Sequence, residues 1–291
     1  MTSLTEKLSQ FWRALPFVGE AKPLVSVIEL GGVIGEAGAG RKGLTLKRLE
    51  KSLEAAFKPS SLKAVALAIN SPGGSPVQSR LILSAIRRMA AEKDVPVLAF
   101  IEDVGASGGY ILALAGDEIY ADDSSIVGSI GVISGGFGFH EALKRVGVER
   151  RVYTAGENKS MLDPFKPEDP ADIARLEGIL LELHEQFIDL VKGRRGDKLR
   201  ADADLFTGAV WTGPQAVENG LIDGTAQLGE FLRTRFGKDA KIKRIAPESG
   251  SLIKRLLSGG DAQSAGLSSL IDAEELIAAG ERRALWARYG L

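Results

Sequence analysis

The sequence predicts an α/β fold in which a mainly parallel sheet is flanked by helices. Three observations lead there: almost continuous apolar runs at 24–30, 64–70 and 95–101, helical stretches between them, and glycine-bearing turns that follow the runs or open helices. A parallel sheet is covered by helices on both faces, so its strands read as unbroken apolar runs rather than as alternation. With 44% hydrophobic and 26% charged residues in 291, the chain can bury a sizeable core, which excludes wholesale disorder.

In chain order, Leu4, Leu8, Phe11, Trp12 and Leu15 share one face of a short helix. That face suits docking on the protein's own domain or a neighbouring subunit, or weak contact with a membrane surface. Pro16 and the stretch from Gly19 to Pro23 end the helix. Leu24 to Leu30 is the first strand, followed by glycine-rich Gly31 to Gly43 and a helix from Leu44 to Phe57. Ala64 to Asn70 is the second strand, Val77 to Glu92 a helix and Val95 to Ile101 the third strand. Shorter strand-like runs follow at Glu118–Ala121, Ile126–Ile133 and Arg150–Thr154. A long amphipathic helix spans Ala171 to Lys192, Gly213 to Asp223 reads as helix and turn, and Lys241 to Ile245 is a last strand. Beyond Pro247 the composition shifts to Ser, Gly and Ala, with an amphipathic helix near 271–286. The chain therefore divides into an N-terminal helix and linker (1–21), one main domain (22–246) and a C-terminal helical extension (247–291).

Composition removes several classes of chemistry. Lys plus Arg total 37 against 38 Asp plus Glu, so no basic field points to nucleic acid. Zero cysteines exclude disulfides, a thiolate nucleophile and Cys-based zinc sites. Only His140 and His184 are available, which leaves little material for a histidine-rich metal centre; the expectation is no metal and no cofactor. No run approaches 18 apolar residues, and the start lacks a signal-peptide core.

Three turns could carry chemistry. In Asn70-Ser71-Pro72-Gly73-Gly74, two residues without Cβ let backbone N–H groups approach a substrate oxygen, although Pro-Gly-Gly is also ordinary turn chemistry. In Gly105-Ala106-Ser107-Gly108-Gly109-Tyr110, a serine with room around its hydroxyl opens a helix. The Gly108 N–H and the positive helix end can stabilise an oxyanion there, or Ser107 can simply be an N-cap. Ser129, in Val127-Gly128-Ser129-Ile130-Gly131-Val132, reads by itself as a strand serine satisfied by backbone.

Gly105-x-Ser107-x-Gly109 also fits the nucleophile-elbow pattern, but that arrangement wants the serine at a strand end and a loop-borne histidine downstream. The third strand is expected to stop at Ile101, and His184 lies inside a helix, which disfavours a Ser-His-Asp triad. His140 reads as a helix-start residue. Lysine is the usual substitute base, provided burial lowers its pKa from about 10.4 towards about 7–8, a cost of roughly 4 kcal/mol. The candidate is Lys159, among apolar Met161, Leu162 and Phe165, though on its own it also reads as a solvated surface lysine.

Together, Asn70–Gly74, Gly105–Tyr110, Gly128–Val132 and Lys159–Phe165 resemble, in the same order, the motifs of the bacterial signal-peptide peptidase A family. These are Ser-Lys serine peptidases with a fold like the Clp protease proteolytic subunit and the crotonases. The resemblance spans roughly residues 24 to 246. It implies Ser107 as nucleophile, Lys159 as general base, Ser129 as the serine that orients the lysine, and Gly74 with Gly108 as the oxyanion hole. It implies a serine endopeptidase acting on short apolar peptides such as released signal peptides, in the short single-unit form that assembles into homo-oligomeric rings or domes. A transmembrane anchor usual at the family's start has no counterpart here, so the expectation is a cytoplasmic protein, at most peripheral to the inner membrane. Two other readings stand beside it: a crotonase-type acyl-CoA enzyme, and a catalytically silent scaffold at the membrane surface.

Overall fold

In a computed structural model of the protein, the described residues are 22–36, 43–201, 204–246, 280 and 283–290. The first part of the chain alternates strand and helix: β1 (Leu24–Gly31), α1 (Leu46–Phe57), β2 (Leu62–Ser71), α2 (Pro76–Lys93), β3 (Val97–Ala106) and α3 (Gly108–Ala113). Two short strands, β4 (Glu118–Ala121) and β5 (Ile126–Gly128), precede α4 (His140–Arg145) and the long α5 (Pro170–Arg195). The last elements are β6 (Val210–Thr212), α6 (Gly213–Glu218), β7 (Gly224–Thr225), α7 (Leu228–Phe236) and β8 (Lys241–Ile245).

The strands form one eight-stranded sheet with the path β6-β5-β3-β2-β1-β8; β4 branches from β3 and carries β7. Every pairing is parallel except β5 with β6. The expected α/β architecture is thus found.

The side-chain alternation in β2 decides what each face can accept. Val65, Leu67 and Ile69 join the large cluster with α1, α2 and α3, whereas Ala64, Ala66 and Ala68 face the other way. That alanine face leaves room for bulk from across the layer. Phe100, Tyr120 and Phe231 fill it, with ring centroids 4.4–5.5 Å apart. Helix starts follow local chemistry. Ser75 caps α2 by accepting the Gln78 N–H, with Pro76 behind it, and Asp169 caps α5 by accepting the Ala171 N–H, with Pro170 behind it.

Three expectations change. β3 runs on to Ala106 because pairing with β5 (Val104 to Ala106 against Ile126 to Gly128) continues the ladder past exposed Glu102 and Asp103. The run expected at 126–133 stops at Gly128, since Gly128 and Ser129 both turn the chain with positive φ. Residues 150–154 form no strand: 132–169 lie outside the sheet, and their one helix is α4. The N-terminal helix face Leu4–Leu15 lies outside the described residues; of the C-terminal helix, 280 and 283–287 are described and helical. Among the described residues, no helix is long and apolar enough to cross a membrane.

The C-terminal end of α5 is tied to the sheet by a buried charge pair. Arg195, with 3% of its side chain exposed, donates from Nη1 to Asp223 at 2.9 Å and from Nε to the Gly220 carbonyl at 2.8 Å. Burial pushes the Asp223 carboxyl upward. Hydrogen bonds from Arg195, Lys198 and the Ile119 N–H outweigh that and hold it below the usual aspartate range. A depressed folded pKa means stability that is present above about 3.9 and lost as pH falls through the lower folded value. Asp223→Asn is therefore expected to cost about 3 kcal/mol at pH 7, where it leaves Arg195 without its counter-charge. The gap to wild type should narrow in denaturant titrations repeated near pH 3.

Candidate active site

Ser107 sits on the sharp turn between β3 and α3. Its backbone, at φ 53° and ψ −120°, occupies a region that residues with Cβ rarely enter. Such strain costs on the order of 1–3 kcal/mol and persists only where surrounding bonds hold it. Here the Ser107 N–H donates to the Gly128 carbonyl at 2.7 Å, and its own carbonyl accepts from Tyr110 and Ile111 at 3.0 and 3.1 Å. Tyr110 is fully buried, and its hydroxyl donates to the Leu221 carbonyl at 2.7 Å. The Ser107 hydroxyl makes no capping bond, so the N-cap alternative is not realised and the oxygen is left for chemistry. Because β3 extends to Ala106, the serine does follow its strand directly, the elbow geometry that a strand ending at Ile101 would disfavour.

The glycines are set by closeness to this turn. A Cβ on Gly73 would stand 2.8 Å from the Ser107 Cβ and 2.9 Å from the Gly108 nitrogen, at φ +103°. One on Gly108 would meet the Ser79 Oγ at 2.6 Å, and one on Gly109 the Ser71 carbonyl at 2.3 Å. The loop after β2 is therefore pressed against the nucleophile turn. The Gly74 nitrogen lies in the same contact zone, 3.3 Å from where a Gly108 Cβ would stand. Among the described residues no loop carbonyl accepts from the N–H of Gly74 or Gly108. Gly73→Ala is expected to lower turnover at least about 100-fold, the scale of losing an oxyanion donor, because the loop must retreat from Ser107. Steady-state kinetics beside a circular dichroism spectrum of the variant check this.

A cavity of about 670 Å³ brings Ser107, Gly108, Gly74 and Ser129 together. Ile111, Leu183, Phe187 and Leu190 supply apolar lining, and Leu285 and Tyr289 from the C-terminal segment close part of it. Ser129 reaches the cavity because its positive φ of 53° and its N–H bond to Ala209 turn the chain out of β5. None of the described lining residues is a carboxylate.

Lys159 is not brought to this cavity. It is exposed, in a turn where its N–H donates to the Gly156 carbonyl at 3.2 Å. The surrounding arm leaves Ile133, Phe137, Val146, Val148 and Tyr153 more than half exposed. Within the arm Phe139 packs with Phe137 and Phe165, and Arg150 pairs with Asp163 and lies over the Phe165 ring, while Asp172 and Arg175 of α5 bond the arm at Leu162 and Asn158. His184 donates from Nε2 to the Ile130 carbonyl at 3.1 Å, beside the Ser129 turn, and His140 lies at the start of α4 next to Glu141, as its helix-start reading implied. Among the described residues no cluster of three or more His, Cys, Asp or Glu could hold a metal. Sequence reasoning missed Thr207 and Gly208, which line the cavity from a loop with no motif, and gave Ser71 and Ser79 no role of their own.

Comparisons with known proteins bear on the family and the fold. Residues 89–243 match the sequence model of Peptidase family S49. The chain is 30% identical over 252 residues to the putative protease slr0021 of Synechocystis, covering 85% of this chain and 87% of that one. It is 50% identical over 272 residues to a Brucella melitensis protein named Na(+)/H(+) antiporter NhaA, covering 92% of this chain but 37% of that protein. The chain thus spans little more than a third of that relative. The solved structure of the 1510-N membrane-bound stomatin-specific protease shares the fold, with TM-score 0.51 at 17% identity over 78% of this chain and all of the other.

Proposed function

Because the chain belongs to peptidase family S49, we propose that it hydrolyses peptide bonds through an acyl-enzyme on Ser107, with Lys159 as the base. The observation that carries this is the Ser107 turn: a strained serine with an uncommitted hydroxyl, beside the uncommitted N–H groups of Gly74 and Gly108. In the reaction the Lys159 amine takes the hydroxyl proton as Oγ adds to the substrate carbonyl. The two N–H groups stabilise the resulting oxyanion, in a site where fixed dipoles need no reorganisation. Collapse expels the amine product, protonated by Lys159, and water then releases the acyl group by the same path in reverse. Ser129, in the same cavity, would orient the lysine by a hydrogen bond.

Completion of the site requires Lys159 to come from elsewhere than its present position. We assign it to a neighbouring copy of the chain in a homo-oligomer. The apolar arm that carries Lys159 supports this, since an exposed patch of that kind marks an association surface. The apolar lining of the cavity favours short apolar peptides, with released signal peptides as the natural class. A crotonase-type acyl-CoA enzyme is served less well, because it calls for carboxylates or other groups at the acyl site rather than an activated serine, and the described lining offers no carboxylate. A fluorophosphonate probe tests the proposal. It should label wild-type protein on Ser107, and no labelling, or labelling that survives Ser107→Ala, would refute it.

A further inference from the structure

We infer that Ser71 is a positioning residue for the oxyanion loop, acting through the Gly73–Gly74 peptide; this rests on the reading of Gly74 as an oxyanion donor. Ser71 is the last residue of β2 and is fully buried. Its hydroxyl donates to the Gly32 carbonyl at 2.7 Å and accepts the Gly73 N–H at 3.2 Å. One hydroxyl therefore joins the segment after β1 to the loop after β2.

The rest of that loop is held from the other side. The Ile34 N–H donates to the Gly73 carbonyl at 2.8 Å, and the Ser75 N–H donates to the Ile34 carbonyl at 2.8 Å. Between these anchors stand two glycines with φ +103° and +138°. Glycine has no Cβ to confine its φ and ψ, so local side-chain sterics do not hold the plane of the peptide that carries the Gly74 N–H, although the loop is packed against its neighbours. Hydrogen bonds must do it. The Ile34 N–H holds the carbonyl of the same peptide that carries the Gly74 N–H, and the Ser71 hydroxyl holds the Gly73 nitrogen, one peptide before it. Removing the hydroxyl leaves a buried N–H unpaired and leaves the donor peptide on its single bond from Ile34, about which it can tilt. A tilted donor binds a planar ground-state carbonyl almost as well, but it misses the oxygen of a tetrahedral intermediate. The loss should appear in the chemical step rather than in substrate binding.

The test is Ser71→Ala, with Ser26→Ala as the matched control. Ser26 is equally buried and donates to the Ala56 carbonyl at 2.9 Å, but it lies on β1 away from the cavity. Ser71→Ala is expected to lower kcat by about 10- to 100-fold, less than the 10²–10³ of deleting a direct donor, with KM within about twofold of wild type. Affinity for a peptide aldehyde, which forms the tetrahedral adduct, should weaken in step with kcat. Ser26→Ala should match its loss of thermal stability but keep wild-type kcat. Wild-type kcat in Ser71→Ala would overturn the inference. So would an equal fall in Ser26→Ala, or a fall in Ser71→Ala explained wholly by a smaller titratable active fraction. Failure of the underlying reading looks different: Ser107→Ala would still cleave, and fluorophosphonate would leave Ser107 unlabelled.

Discussion

Ser107→Ala is expected to abolish peptide cleavage while leaving the fold intact. The substitution removes one hydroxyl that makes no capping bond, so no internal interaction is lost with it. Loss of a serine nucleophile in a peptidase costs about 10⁶ in kcat, and what remains comes from the oxyanion hole and substrate binding. Alanine keeps the strained backbone, because its Cβ meets the same obstacle at φ 53°. Ser107→Gly should therefore be as inactive but melt no lower than Ser107→Ala, since glycine relieves the strain that the bonds to Gly128, Tyr110 and Ile111 now sustain. A thermal scan of both variants beside a cleavage assay reads the two effects separately. Turnover above about one part in a thousand of wild type in either variant would remove Ser107 from the mechanism.

Lys159→Ala is expected to be as inactive as Ser107→Ala, yet a mixture of the two should cleave peptides. If each site takes its serine from one chain and its lysine from the next, co-assembled inactive chains create sites with both groups intact. In a closed symmetric ring, random mixing makes about a quarter of the sites competent. Recovery near that level places the base in a neighbouring chain, as the exposed position of Lys159 in the arm outside the Ser107 cavity leads us to expect. No recovery from chains that demonstrably co-assemble would place the dyad within one chain instead. Lys159→Arg should stay inactive in either case, because a guanidinium keeps its proton and cannot receive the one on the serine. The same variants bear on assembly: light scattering that finds an active monomer would dispose of the trans arrangement.

Much of the site is legible in the sequence because its parts are local signals. Gly73, Gly108 and Gly109 stand where their missing side chains must be missing, and adjacent glycines after an apolar run announce such closeness. Ser107 at a helix start is readable from the small-residue run that follows it. Its strain is not, since a φ of 53° at a serine has no sequence signature. The task of Ser71 is hidden too, because a hydroxyl that bridges two loops looks in sequence like any turn serine. Thr207 and Gly208 carry no pattern at all, and they reach the cavity only because β6 pairs antiparallel with β5.

By itself the sequence determined the α/β class, the first three strands and their helices, and the exclusion of thiol chemistry. The strands and helices depend on residues within a turn or two of one another, where apolar period, glycine and proline act directly, and the last follows from the absence of cysteine. The tertiary structure alone decided that β3 continues to Ala106, that residues 150–154 are no strand, and that the turns at 71–75, 105–109 and 128–131 meet in one cavity. Those outcomes depend on which strand pairs with which, a choice made between segments far apart in the chain and settled by the burial of both faces of the sheet. The arm around Lys159 marks the same divide one level up: its apolar residues are written in the sequence, but one chain's fold offers them no surface against which to be buried.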